Sequence, residues 1–419
     1  MKISDIKPEV YDMARRAEAK LSGRFREIDA VAEANTRKVM EAFHNNRVSD
    51  ACFAGTTGYG YDDLGRDTLD KIYAEIFRTE AALVRLGFVN GTHALTAAMF
   101  SLAKPGQRIL AVTGTPYDTL RTAIGISGEA FGSLKFYGIG YGQVDLTDKG
   151  EPDYAAIREA VKAPDVAAVM IQRSRGYEDR KALSVEEIGK IARTVKEVRP
   201  EVWVMVDNCY GEFTDTVEPT ELGADLIAGS LIKNPGGGIA PTGAYVAGKR
   251  ELVERSAMRL TTPGIGGECG STLGNNRLLY QGLFLAPHTV AQALKTACFC
   301  AAMMDELGIE SSPGALENRS DIIQMIRLGS PERMKRFCLG IQAGAPVDSY
   351  VTPEPWTMPG YDCPVIMAAG AFIQGSSIEL SADGPMREPY IVYMQGGLTY
   401  ESGKLGIMMA VSAMLEAGE

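Results

Sequence analysis

The chain has 419 residues, of which 45% are hydrophobic and 23% charged, the balance of an ordinary globular protein with room for two or three domains. Its net charge of −10 speaks against nucleic acid or an anionic membrane as partner, and it contains no apolar run of about 18 residues to cross a bilayer. Seven cysteines without a C-x-x-C pair, and only three histidines, support neither a disulfide scaffold nor a zinc site, and the start MKISDIKPEVYDMARR lacks a signal core, so a reduced, cytoplasmic setting without metal is expected.

Residues 7–44 carry apolar side chains at helical spacing (Val10, Met13, Ala14, Ala17, Leu21, then Ile28, Val31, Val39, Met40 and Phe43), which predicts one or two amphipathic helices broken near Ser22-Gly23. Such an arm lies either on its own core or across a partner subunit. A Gly- and Tyr-rich loop follows over 55–65, with Arg66 just before a helix expected from about Asp67. On local residues alone it reads as a surface loop, but Tyr59, Tyr61 and Arg66 could also reach a phosphate.

In FVNGTHALTAAMF, Phe88–Val89 closes a strand or turn and Gly91-Thr92 opens a helix running to about Leu102. Glycine lets the backbone come close, Thr92 can cap, and free N–H groups with the helix dipole form an anion site. His93 is either part of that site or turned to solvent. Ile109–Val112 reads as a strand, followed by TGTPYDTL, where Tyr117 either presents a flat ring at the strand end or packs at a helix start. Further strands are expected at Leu134–Tyr137, Val166–Ile171, Val202–Val206, Leu226–Ala228 and Ala244–Val246, with helices at Asp153–Lys162 and Val185–Arg199 between them. This alternation predicts a mostly parallel sheet covered on both faces. The chain has no G-x-x-x-x-G-K-[ST] loop and no G-x-G-x-x-G after a strand, which removes the best support for a nucleotide site.

The strand at 166–171 runs into QRSRGY, whose Arg173 and Arg175 are anion contacts or solvated surface charges. Asp207 then closes Val202–Val206, Gly229-Ser230 closes Leu226–Ala228, and Lys233 follows ahead of Asn234-Pro235 and three glycines. Two adjacent strand ends thus deliver a carboxylate and a lysine to the crevice where open α/β sheets bind ligands. Singly, each is an ordinary cap or solvated residue. Together they are what pyridoxal phosphate (PLP) needs, a lysine for a Schiff base and an acid for the pyridinium nitrogen. A Gly/Thr/Ser loop over 261–276 precedes a buried apolar helix from about His288 to Leu307, where the domain join is placed. Beyond it come apolar runs at Val365–Ile373 and Ile391–Tyr393, and Arg387, whose guanidinium suits a bidentate clamp on a substrate carboxylate. The expected organisation is a helical arm (1–50), a large PLP-binding domain (51–290) and a small C-terminal α+β domain (291–419).

With TTGYGYDDLGRDTLD, FVNGTHAL, TGTPYDTL, IQRSRGY, VDNCYGEF, GSLIKNPGGG and REPYIVYMQGGLTYE in place, the chain resembles the fold-type I PLP enzymes of the cystathionine and methionine lyase group. It is most similar to the branch called aluminium-resistance or methionine γ-lyase-like proteins, over nearly its full length. The resemblance implies an α/β, PLP-dependent transferase-like fold and carbon–sulfur elimination from a sulfur-containing amino acid. The rivals are aminotransfer, or PLP binding without turnover. It also implies roles: Lys233 forms the Schiff base and acts as the base, Asp207 holds the pyridine nitrogen, and Tyr117 stacks on the ring and helps move protons. Gly91, Thr92, His93 and Ser230 hold the phosphate, and Arg387 takes the substrate carboxylate, with Arg175 or Arg173 the next candidates. The loop with Tyr59 and Tyr61 would reach a neighbouring subunit's phosphate in a homodimer or homotetramer with shared active sites. Better-known relatives have Arg where this chain has Tyr61, with Arg66 as the replacement. Methionine lyases carry Cys where it has Thr119.

Overall fold

Strands β1 (Ala81–Arg85), β2 (Arg108–Ala111), β3 (Gly140–Gln143), β4 (Val166–Gln172), β5 (Trp203–Asp207), β6 (Leu226–Ser230) and β7 (Ala244–Gly248) join in the order β1-β7-β6-β5-β4-β2-β3. The computed structural model describes residues 1–128, 131–357 and 363–416. Strands β3, β2, β4, β5 and β6 are parallel, while β7 runs against both β6 and β1. The sequences VAAVMIQ, WVMVD and LIAGS are buried nearly throughout, as parallel strands covered on both faces must be. Register pairs Gln172 with Asp207, and Asp207 with Ala228, so three strand ends stand side by side.

Around the sheet lie α1 (Pro8–Asn45), α2 (Leu64–Ile76), α3 (Gly91–Leu102), α4 (Asp118–Ile124), α5 (Tyr154–Ala160), α6 (Val185–Val198), α7 (Arg250–Leu260) and α8 (Asn276–Leu307). The expected break near Ser22-Gly23 does not occur: α1 is continuous over 38 residues. A helical glycine costs roughly 1 kcal/mol against alanine, but packing of an apolar stripe decides helix stability in proteins. Here Val10, Ala14, Ala17, Leu21, Ile28 and Val39 are buried, and the helix lies along α8 of its own chain. Arg16 and Lys20 both pair with Glu306 at the end of α8, at 2.8 and 2.7 Å.

Leu134–Tyr137, expected as a strand, is a series of turns, and β3 begins only at Gly140. Gly132 and Gly138 take φ of +88° and +77° on either side, which interrupts extension and leaves Leu134 buried but Phe136 exposed. Helix α8 starts at Asn276, well before His288, and contains Pro287.

The second sheet is antiparallel, in the order β10-β11-β12-β9-β8, from β8 (Ser311–Ser312), β9 (Ile323–Arg327), β10 (Val365–Ala369), β11 (Ser381–Pro385) and β12 (Ile391–Gln395). Helices α9 (Pro331–Ala343) and α10 (Tyr400–Glu416) pack together and α9 lies against β10 and β11. The expected run Val365–Ile373 stops at Ala369, because Gly370 is pressed so close to Val347 that a Cβ there would lie 2.1 Å from its carbonyl oxygen. Met367, Asp383, Tyr393 and Met325 align as cross-strand partners. Ile323, Met325, Ile391 and Tyr393 form a small apolar cluster against Tyr177 and Tyr210, which brings this sheet to the strand ends of the first. Among the described residues no helix is long and apolar enough to cross a membrane.

Candidate active site

A cavity of about 370 Å³ lies at the carboxyl ends of β4, β5 and β6, closed on the far side by β9, β11 and β12. Lys233 enters it three residues after β6, from a loop that only glycine permits. A Cβ on Gly236 would lie 1.7 Å from Leu231 O, and one on Gly237 2.4 Å from Gly282 O in α8. The half-buried Lys233 places its Nζ 4.0 Å from the ring centre of Tyr210, and that Nζ makes no hydrogen bond or ion pair among the described residues. Burial works against the ammonium, but the surrounding acidic groups, Asp207 among them, more than offset it and hold the pKa well above the usual lysine value.

Asp207, buried at the end of β5, accepts from the Cys209 backbone N–H at 3.1 Å. Burial raises its pKa, while Lys233 and that hydrogen bond pull it back. Tyr117 precedes α4, and its backbone N–H donates to Gln172 Oε1 at 3.0 Å. Its hydroxyl lies 2.8 Å from Thr92 Oγ1, and burial, helped by Asp207, keeps it a neutral phenol. Thr119 Oγ1 is 3.3 Å from the same threonine. Facing them is the first turn of α3, capped by Asn90, whose side chain accepts from His93 N–H at 2.9 Å. A Cβ on Gly91 would sit 3.2 Å from Ser230 Cβ, so the lack of a side chain opens the backbone N–H groups of this turn towards Ser230.

Of the residues anticipated from sequence, Gly91, Thr92, Tyr117, Arg175, Asp207, Ser230, Lys233 and Arg387 all line this one cavity. His93 does not: its Nδ1 accepts from Val89 N–H at 3.3 Å, and its ring stands edge-on to Phe88. Arg66 is buried outside the cavity, donating to Gly270 O at 3.0 Å, Glu268 O at 3.3 Å and Asp67 Oδ1 at 2.8 Å, so it ties the 55–65 loop to the 268–270 turn. Tyr59 and Tyr61 stack on each other with centroids 5.6 Å apart on the exposed surface of that loop, away from the cavity of their own chain. Arg173 is buried against Asn208 and Thr214 as a structural strut.

Arg175 and Arg387 differ. Arg175 is 1% exposed, its Nε has no partner, and its Nη2 reaches only Ser312 Oγ at 3.4 Å. Arg387 sits exposed at the rim, in the turn after β11. Sequence reading missed Tyr210, held at φ +71° with its hydroxyl 3.0 Å from Ser377 Oγ. It also missed Gln172, Tyr177, Tyr393 and Asp383. Position at a strand end marked Gln172, but nothing local marked the others.

A model of the methionine gamma-lyase family matches residues 10–415. An uncharacterized protein, YnbB, of Bacillus subtilis (strain 168) is 48% identical over 404 residues, covering 96% of each chain. The crystal structure of a carbon-sulfur lyase involved in aluminum resistance from Clostridium novyi NT has a TM-score of 0.94 at 52% identity, over 97% of this chain and 96% of that one. The PLP-dependent protein YhfS of Escherichia coli shares the fold at a TM-score of 0.62 and 17% identity, over 91% of this chain and 95% of its own.

Proposed function

Because the chain belongs to the methionine gamma-lyase family and has the type I fold of PLP enzymes, we propose that it is a PLP-dependent carbon–sulfur lyase. It acts by α,β- or α,γ-elimination on a sulfur-containing amino acid of the cystathionine, cysteine or methionine kind. The observation that carries this reading is Lys233: a lysine inside a cavity, unpaired, between a buried carboxylate and two tyrosines.

The residues fit the cofactor. Lys233 would hold it covalently, Asp207 would face the ring nitrogen, and Tyr117 would lie on the ring. Gly91, Thr92 and Ser230 would take the phosphate, in the place that glycine leaves open. When bound, PLP supplies an electron sink that makes the Cα proton of an amino acid removable. Lys233 Nζ, released from the cofactor when the substrate's amino group takes its place, would be the base for that proton, held close enough that proximity supplies much of the rate. Lys233 or the Tyr117 hydroxyl returns a proton to the departing sulfur. Arg175, which lines the cavity and makes no ion pair among the described residues, receives the substrate α-carboxylate through its guanidinium, and Arg387 stands at the rim. Elimination from a β-thioether with one water then yields a thiol, a 2-oxo acid and ammonia. The exposed Tyr59–Tyr61 loop serves a partner subunit in a homodimer or a homotetramer.

The test is to incubate the PLP-loaded protein with cystathionine, cysteine and methionine, without a 2-oxo acid acceptor, and measure ammonia and thiol. Release of both supports elimination. A requirement for an acceptor would make the protein an aminotransferase, and a bound cofactor without turnover a binding protein.

A further inference from the structure

Tyr210 has no part in the chemistry just described, yet it lines the same cavity and stands under the lysine. It follows Asp207-Asn208-Cys209 in a tight turn, where Gly211 N–H donates to Asn208 O at 2.9 Å. Tyr210 takes φ +71° there, a left-handed conformation that bulky residues rarely adopt and that persists only where the surroundings over-determine it. Arg173 is packed against the next residue: a Cβ on Gly211 would lie 2.4 Å from its Cδ. The Tyr210 ring turns away from the large sheet to pack against Ile323, Met325, Ile391 and Tyr393 of the small one, and its hydroxyl lies 3.0 Å from Ser377 Oγ. Backbone, apolar packing and hydroxyl thus fix the ring from three sides. One face is left for Lys233, whose Nζ lies 4.0 Å from the ring centre, well inside the ~6 Å reach of a cation–π contact. Asp207, Cys209 and Tyr117 are the other titratable groups that face Lys233, and none hydrogen-bonds its Nζ among the described residues. A ring face attracts an ammonium and has no comparable hold on a neutral amine.

We propose that Tyr210 is a positioning residue for Lys233: its ring face holds the ammonium that forms when Lys233 takes the Cα proton, and keeps it aimed into the cavity until the proton passes to the departing sulfur. The proton balance closes. The neutral amine gains the Cα proton, rests on the ring as the ammonium, and becomes the amine again as the sulfur leaves as a thiol. The inference rests on the carbon–sulfur lyase reading for its chemistry, whereas the contact belongs to the chain itself.

The experiment replaces Tyr210 with phenylalanine, and then with phenylalanines carrying one, two and three ring fluorines, which keep the shape of the ring while draining negative charge from its face. Trace reductive methylation of the cofactor-free full chain with formaldehyde and cyanoborohydride at one neutral pH, read by peptide mass spectrometry, reports how much of Lys233 is neutral. Labelling of Lys233 should rise stepwise along the fluorine series, roughly two- to thirtyfold in all, the span of cation–π strength, while exposed Lys71 stays constant. In the PLP-loaded protein, kcat should fall along the same series with KM within about twofold, measured on whichever of cystathionine, cysteine and methionine the wild type cleaves fastest. A ring that serves only as packing would move neither readout, because its shape is kept. Labelling that ignores the fluorines removes the ring contact, and labelling that follows them with kcat unchanged removes its part in the proton transfer; either would overturn the assignment. If the wild type cleaves none of the three amino acids, the lyase reading fails by itself, and the labelling series still decides whether the ring holds the ammonium.

Discussion

Replacing Arg175 with lysine tests the substrate clamp directly. The guanidinium is 1% exposed, carries an unpaired Nε, and its nearest side-chain partner is Ser312 Oγ at 3.4 Å. It lines the cavity and makes no ion pair among the described residues, so its guanidinium is the buried positive charge nearest to hand for an incoming carboxylate. Burial lowers its pKa, and Asp321 and Tyr393 work the other way, but Asp321 makes no ion pair with the guanidinium. Lysine keeps the positive charge and loses the planar two-point fork. A hydrogen bond to a charged group is worth about 1.5–3 kcal/mol, so kcat/KM should fall roughly ten- to a hundredfold. Arg387 is exposed at the rim, where ion pairs contribute about 0–1 kcal/mol, so Arg387→Lys should cost less than about fivefold. Steady-state kinetics on the best substrate, with the visible cofactor band and thermal midpoint as controls, read both variants. If Arg387→Lys takes the larger loss, or Arg175→Lys is normal, the carboxylate is held at the rim and the reasoning from burial is wrong.

Lys233→Ala should abolish both turnover and the visible absorbance band that the wild type gains with PLP; a variant that keeps the same borohydride-sensitive band would remove Lys233 from its role. Buried Glu212 accepts from the Tyr245 hydroxyl at 2.8 Å, and burial pushes its carboxyl from 4.5 up to about 8. A raised carboxyl pKa contributes stability that is full below the unfolded value and is lost as pH rises through the folded one. The thermal midpoint of wild type should therefore decline relative to Glu212→Gln between those two values, and a gap constant across that window would contradict the linkage. The exposed Tyr59–Tyr61 loop predicts a dimer or tetramer in sedimentation, with activity falling on dilution in a Tyr61→Ala variant; a fully active monomer would refute shared active sites.

Much of the large sheet was legible because its strands are short apolar runs that end at polar residues. Asp207 ends one such run and Lys233 follows another by three residues, so strand position alone brought them together. The small sheet was harder: SADGP in β11 has neither apolar alternation nor β-branched residues, and it is a strand because β10 and β12 hold it. Asp383 was invisible for the same reason. His93 and Arg66 show another limit. Sequence placed them beside the right loop and helix, but side-chain direction follows from tertiary partners, Val89 and Phe88 for one and Gly270 and Glu268 for the other.

The two walls of the cavity divide the work. The parallel sheet and α3 supply Lys233, Asp207, Tyr117 and the helix N-terminus, a set that on the proposed reading would serve any amino acid. The antiparallel sheet supplies Asp383, Tyr393 and Gln395. A site built around buried polar groups discriminates strongly against a ligand that lacks the matching donor, because the group is then left unpaired. Thr119, hydrogen-bonded to Thr92, adds a further polar group to the opposite wall. On the proposed reading, the same chemistry at Lys233 can therefore serve different thioethers, with the polar far wall rather than the lysine deciding among them.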